Sequence, residues 1–425
     1  MSPGLDSLIA ISWNNSWHRS RKDSNESMLS SVTVAQRIIE YSSRFKSNVY
    51  EFSIANCDKS VQFVCLSYGA TIMKIMAPDR NLVSENIVLC YETLQDLESK
   101  LGPYYGSVPG RYANRIAMGK FTLDGETFQL ATNNGRNSLH GGLNGFDKKN
   151  WTSEVFCEES RAGVRLSYVS KDGEEGYPGE LHTRVTYSLN EENELEIDYF
   201  AETIGRATVL NLTNHTYCKY SNYDSIFETI VMSESLNLTD SPSKFLVNLT
   251  GNCCRKILDH KVHLNCSHYL PATEELLPTG EVRTVKDSPF DFMTNISYGK
   301  RLGDVISLVD GGGQPGVDHC FVVNGYVEEH NGEGANRVLR HVATVTDEES
   351  GRQLVCRSTL PAVQVYTANW LPDDNAQHPH IQHNAICLET QHYPDSPNQP
   401  AFPSTVLRPG DKYNHKAVFS FKIIE

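Results

Sequence analysis

The chain has 425 residues, long for a single core, although all-β domains often run large as one unit. Its 38 Lys and Arg against 52 Asp and Glu leave a formal charge of −14. That balance argues against non-specific nucleic-acid binding, which needs clustered cations to displace counterions from phosphate, and disfavours an anionic membrane surface. A neutral small molecule is the partner that fits.

From the N-terminus, residues 1–46 read as an appended, disordered extension. Its apolar stretch Leu8-Ile9-Ala10-Ile11 is shorter than the apolar region of a signal peptide, and Asp23 and Glu26 weaken a transit-peptide reading. One short helix is predicted around Val32–Tyr41, and no strand pattern starts before Val49. The signals then turn to β. Lys120–Leu123 and Glu126–Leu130 flank Asp124-Gly125, the pair that supplies positive φ to a tight hairpin turn. Val185–Leu189 and Leu195–Ala201 alternate around a polar turn at Asn190–Glu194, and Val342–Thr346 and Gln353–Ser358 do so around Glu348–Gly351. No stretch sustains a helical period, and none nears the ~18 apolar residues of a membrane-spanning helix. Residues 47–425 therefore read as one all-β domain, a large antiparallel β-sandwich or barrel. From Lys219 to about Arg255 a Ser- and Asn-rich insertion outruns the ~12–15 residues of long ordinary loops. It reads as a polar excursion between two strands.

The 11 cysteines are an odd number and form no C-x-x-C pair, which reads as free thiols in a reducing, cytoplasmic setting. The triplets Asn237-Leu238-Thr239 and Asn248-Leu249-Thr250 arise by chance often enough to say nothing of secretion.

Two loops stand out, Gly110–Arg115 and Asn137–Gly145, rich in Gly, Asn, Arg and His. In the second, His140 precedes Gly141-Gly142, and glycines let backbone approach a ligand closely. His215, in Asn211-Leu-Thr-Asn-His215-Thr-Tyr217, sits among alternating apolar and polar neighbours. It is either a satisfied strand histidine or a proton donor titrating near neutrality. Glu389 follows the apolar run Ala385-Ile-Cys-Leu. A carboxylate on such a strand needs a partner or a proton, and the run favours a site over a surface strand. Gly311–Gly316 before Asp318-His319 lacks both phosphate-loop spacings, and His378, His380 and His383 read as a solvated loop lacking a metal-type partner. No G-x-S-x-G elbow occurs.

In order, these segments resemble the aldose 1-epimerase family. The matching pieces are Gly110-Arg-Tyr-Ala-Asn114-Arg115, Asn137-Ser-Leu-His140-Gly-Gly, Gly145-Phe-Asp-Lys148, Asp172-Gly-Glu-Glu-Gly-Tyr-Pro-Gly179, Asn211-Leu-Thr-Asn-His215, Val317-Asp318-His319, Glu389-Thr-Gln391 with Pro394–Pro400, and Leu407-Arg-Pro-Gly410. They run from about Val49 to the C-terminus. The resemblance implies a galactose-mutarotase-like β-supersandwich acting on a free aldose, with no metal or organic cofactor; a monomer is expected. It implies Glu389 as general base and His215 as general acid. By the same matching, Asn114, Arg115, His140, Asp318 and Gln364 hold the sugar hydroxyls, and His140 also orients the ring oxygen. The chain departs from the pattern at the 219–255 insertion and at Cys90, where the family commonly has Gly.

Three alternatives stay open at this point: a sugar-binding protein without turnover, a hexose-phosphate epimerase, and a glycoside hydrolase using Glu389 and Asp318. The second needs a basic cluster, which the chain does not display. The third needs two carboxylates at set separations.

Overall fold

Period-two alternation governs the architecture, because successive strand residues face opposite sides of a sheet. The computed structural model describes residues 9–11, 32–42, 44–91, 93–99, 104–218, 256–293, 299–327, 338–372 and 381–425. Among these, three large antiparallel sheets carry the fold. The 219–255 insertion lies outside the described residues.

The nine-stranded sheet runs Thr152–Cys157, Arg161–Ser170, Glu180–Asn190, Glu194–Ile204, Tyr413–Ile423, Arg352–Ser358, Arg340–Asp347, Lys261–Leu264 and Lys300–Arg301. The turns read from the sequence close its hairpins, and Leu189 pairs with Leu195. The tight Asp124-Gly125 turn likewise pairs Leu123 with Glu126, with φ of 51° and 83° at its two central residues.

The seven-stranded sheet orders Arg283–Thr284, His268–Leu270, Asp318–Val322, Ala362–Tyr366, Ile386–Gln391, Tyr217–Cys218 and Val88–Leu89. Phe321, Val363, Val365, Ile386 and Leu388 enter one core with Val164, Leu166, Val185, Tyr187, Ile197 and Tyr199 of the nine-stranded sheet. Each such buried aliphatic or aromatic side chain stabilises by roughly 1.5–3 kcal/mol, so this face is fixed strongly. The alternate residues of the same strands must point to the opposite face.

The third sheet corrects the helix expected around Val32–Tyr41. Val32–Ser42 is a strand, paired along its length with Ser47–Asn56, which continues to Gln62–Leu66, Ile72–Pro78 and Ser84–Asn86. Val32 and Val34 are buried beside Phe52 and Ile54. The segment is rich in β-branched residues, and an available partner strand outweighs a weak helical pattern. The strand signal thus begins before Val49.

Two smaller expectations are settled locally. His383 is not on a solvated loop: it is buried, with its Nδ1 2.9 Å from the Thr367 carbonyl, because the chain folds back over the end of the Ala362–Tyr366 strand. His378 and His380 lie outside the described residues. Cys90 is accommodated with its Sγ 3.3 Å from Met73 Sδ. Among the described residues the nine cysteines form no disulfide.

Candidate active site

The second face of the seven-stranded sheet is polar where the first is apolar. Gln364 pairs in register with Glu389 on one side and Cys320 on the other, and Tyr366 pairs with Cys387 and Asp318. Tyr217 pairs with Cys387 across the other edge. Cross-strand partners share a face, so Asp318, Gln364, Tyr366, Cys387, Glu389 and Tyr217 all stand together on the face opposite Val363 and Val365, where Tyr217, Tyr366 and Cys387 belong to a second, smaller hydrophobic cluster. Gln364 Nε2 donates to Asp318 Oδ1 at 2.6 Å.

Two loops close over this face. The Arg115 strand residue pairs with Leu139, which brings Gly110–Arg115 against Asn137–Gly145. Asn114 and His140 both take positive φ, 64° and 51°. The Asn114 backbone holds His140 twice: the His140 N–H donates to the Asn114 carbonyl at 3.0 Å, and the Asn114 N–H donates to the imidazole Nδ1 of His140 at 3.2 Å. Gly141 lies so close to the Gly110 carbonyl that a Cβ would sit 1.8 Å from its oxygen. Arg115 is held by Asn134, whose Oδ1 accepts from Nε at 3.1 Å, and by the turn in which its N–H donates to Asn114 Oδ1.

His215 sits just before the short strand Tyr217–Cys218, held on both sides by the 104–108 segment. Its N–H donates to the Ser107 carbonyl and its carbonyl accepts from Gly106. The imidazole is stacked on Tyr217, with centroids 5.1 Å apart and planes 21° apart, and lies near-parallel to Tyr104 at 6.0 Å. His140 meets it edge-on at 5.2 Å. The ring plane is therefore fixed, with Nε2 3.5 Å from Glu389 Oε1.

A cavity of about 620 Å³ opens between the sheet face and the loops, and its lining includes Asn114, Arg115, His140, His215, Asp318, Gln364 and Glu389. All seven residues singled out from the sequence thus meet at one place. Tyr104, Asn134, Tyr217, Tyr366 and Trp370 also line it and were missed. Tyr217, Tyr366 and Cys387 lie two positions from His215, Gln364 and Glu389, so the strand period could have found them. Tyr104, Asn134 and Trp370 carry no such signal, because only chain closure brings them there.

Burial dominates the electrostatics. It pushes the His215 imidazole down to about 4. The Glu389 carboxyl is raised well above the usual range by burial first and Asp318 second, with Arg115 opposing. Asp318 is raised by burial, against Arg115 and the Gln364 hydrogen bond. His140 is held well below its usual value, by burial first and then by His215 and Arg115. It stays neutral, and because its Nδ1 accepts a hydrogen bond its proton belongs on Nε2. Glu389 Oε2 and Gln364 Oε1 are buried without a hydrogen-bond partner among the described residues. Such acceptors are costly unless a ligand supplies donors, and hydroxyl groups are the donors that suit them.

Charge counting defines what this cluster can do. Asp318⁻ and Arg115⁺ balance one another. Glu389 and His215 can be Glu⁻ with HisH⁺, or GluH with neutral His; both distributions are neutral overall and differ by one proton moved between the two groups. A pair that exchanges one proton at constant net charge suits general acid–base chemistry on a neutral ligand. His215, Cys387 and Glu389 also form the one group of three His, Cys, Asp or Glu side chains, among the described residues, whose donor atoms lie within 4.8 Å of one another. No helix among the described residues is long and apolar enough to cross a membrane.

Comparison with known proteins agrees with this geometry. Residues 51–244 and 243–420 match the family model described as Aldose 1-epimerase. The chain is 38% identical over 363 residues to human galactose mutarotase, covering 84% of this chain and 90% of that one. It is 31% identical over 371 residues to the aldose 1-epimerase of Haemophilus influenzae, covering 85% and 92%. In fold it is similar to the crystal structure of galactose 1-epimerase from Lactobacillus acidophilus, with a TM-score of 0.72 and 24% identity over 93% of this chain and all (100%) of that one. An aldose epimerase homologue from C. elegans gives 0.69 with 24% identity, covering 86% and 97%. A supersandwich of antiparallel sheets, one buried polar sheet face and matches over most of both chains lead to one conclusion: this chain belongs to the aldose 1-epimerase family, carbohydrate isomerases.

Proposed function

We propose that the protein interconverts the α and β anomers of a free aldohexose, galactose or glucose, by general acid–base ring opening and reclosure. The observation that carries this reading is the buried Glu389–His215 pair, 3.5 Å apart at the base of a cavity large enough for a hexose. Opening the ring removes the proton of the C1 hydroxyl and adds one to the ring oxygen. Glu389 takes the first and His215 gives the second. The C1–C2 bond rotates, and closure on the other carbonyl face returns both protons, with the roles reversed. The proton distribution after opening, GluH with neutral His, is the one that burial favours, so the open-chain state meets a site already suited to it.

Asn114, Arg115, His140, Asp318 and Gln364 hold the sugar hydroxyls. His140, neutral with its proton on Nε2, is a donor suited to the ring oxygen or an adjacent hydroxyl. The lining carries the carboxylates of Glu274, Glu275, Asp318 and Glu389 against the single guanidinium of Arg115. That balance suits a neutral sugar and repels a sugar phosphate. The chemistry requires neither a metal nor an organic cofactor, and nothing in it requires a second subunit.

Polarimetry of freshly dissolved α-D-galactose and α-D-glucose tests the reading. The protein should accelerate the decay of optical rotation, and added chelator should leave the rate unchanged. A folded sample giving buffer rates across several aldoses would overturn it.

A further inference from the structure

The imidazole of His215 has two nitrogens, and the reading above uses one. Nε2 faces Glu389, so proton exchange with the sugar occurs there. Nδ1 must then keep its proton throughout the cycle, because an imidazole that gives up its Nε2 proton remains neutral only with the other nitrogen protonated. A buried N–H of that kind needs an acceptor.

The strand Ile386–Gln391 supplies one. Cys387 and Glu389 are two residues apart on it, so their side chains leave the same face about one imidazole apart. Cys387 Sγ lies 3.9 Å from His215 Nδ1, while Glu389 Oε1 lies 3.5 Å from Nε2. The ring plane is held by Tyr217 and Tyr104. Both Cys387 and His215 are buried.

We propose that Cys387 is a positioning residue for the epimerase reaction: its sulfur accepts the Nδ1 hydrogen of His215 and so fixes the tautomer that exchanges its proton at Nε2. Sulfur is a weak acceptor. It orients the ring without strongly stabilising the imidazolium, which keeps the proton easily given to the sugar. The inference rests on the reading of His215 as the acid.

The test compares the parent with Cys387→Ala, Cys387→Ser and His215→Asn, measuring kcat, KM and the pH profile of α-D-galactose mutarotation by polarimetry. Cys387→Ala should lower kcat about 3- to 10-fold, the worth of one such hydrogen bond, with KM within about two-fold of the parent. Its alkaline limb should move to lower pH, because the imidazolium has lost an acceptor. Cys387→Ser shortens the arm by about 0.4 Å and leaves its oxygen outside hydrogen-bond reach of Nδ1, so kcat and the alkaline limb should move in the same direction as in Cys387→Ala. Parental kcat and an unmoved limb in Cys387→Ala would overturn the proposal. If that variant does not fold, an unmoved limb in Cys387→Ser overturns it. An inactive parent, or a fully active His215→Asn, would instead overturn the reading on which the proposal rests.

Discussion

Replacing Glu389 by glutamine separates catalysis from stability. The amide is nearly the same size, so the pairing of residue 389 with Gln364 survives. It cannot accept the C1 proton. A positioned general base is worth about 10²–10⁴-fold, so kcat should fall by that factor, an increase of roughly 3 to 5 kcal/mol in the barrier. Stability should move the other way or not at all. Burial and Asp318 both disfavour the ionised carboxyl, and Oε2 has no hydrogen-bond partner among the described residues. A neutral amide removes the repulsion and can donate to a neighbouring acceptor such as Asp318. Polarimetry at saturating α-D-galactose measures the first effect and urea unfolding at pH 7 the second. Turnover within a few-fold of the parent would refute Glu389 as the base. A loss of more than about 2 kcal/mol of stability would refute the claim that this carboxylate is held at the expense of the fold.

Asp318→Asn should raise KM about 10-fold or more, since a buried charged acceptor for a hydroxyl is worth roughly 1.5–3 kcal/mol; an unchanged KM would remove Asp318 from the sugar site. Gly141→Ala should leave little active protein, because its Cβ would strike the Gly110 carbonyl at 1.8 Å and the φ of 87° is already unfavourable to alanine; parental kcat/KM would show that the loops do not need this approach. His392 is buried and burial pushes it down to about 4, below the ordinary histidine value of about 6.5. Between those values the unfolded chain binds a proton that the folded chain does not, so the stability contributed by this neutral histidine is present above about 6.5 and is lost as pH falls toward 4. His392→Asn should therefore flatten the fall of unfolding free energy over that window by roughly 1 kcal/mol per pH unit, measured by urea titrations at pH 7, 6 and 5; an identical slope in parent and variant would refute the assignment.

Much of this molecule is legible in its residues alone. Alternation marks the strand pairs Glu180–Asn190 with Glu194–Ile204 and Arg340–Asp347 with Arg352–Ser358, and Asp124-Gly125 marks a tight turn, because side-chain period and turn chemistry are local properties. The carboxylate at the end of Ala-Ile-Cys-Leu-Glu389 announced itself for the same reason: its neighbours Ile386 and Leu388 are core residues, so it must stand on the reverse face. What local pattern could not decide was which segments meet. Val32–Ser42 is a strand because Ser47–Asn56 pairs with it, and the side-chain pattern of Val32–Ser42 taken alone does not show that pairing. Nor does the sequence show that the Asn114 backbone would bond both the His140 N–H and its imidazole, that Tyr104 would lie over His215, or that the imidazole would contact both Cys387 and Glu389. Those contacts join residues far apart in the chain. The protonation of the site depends on them, since only burial among these particular neighbours raises Glu389 and lowers His215.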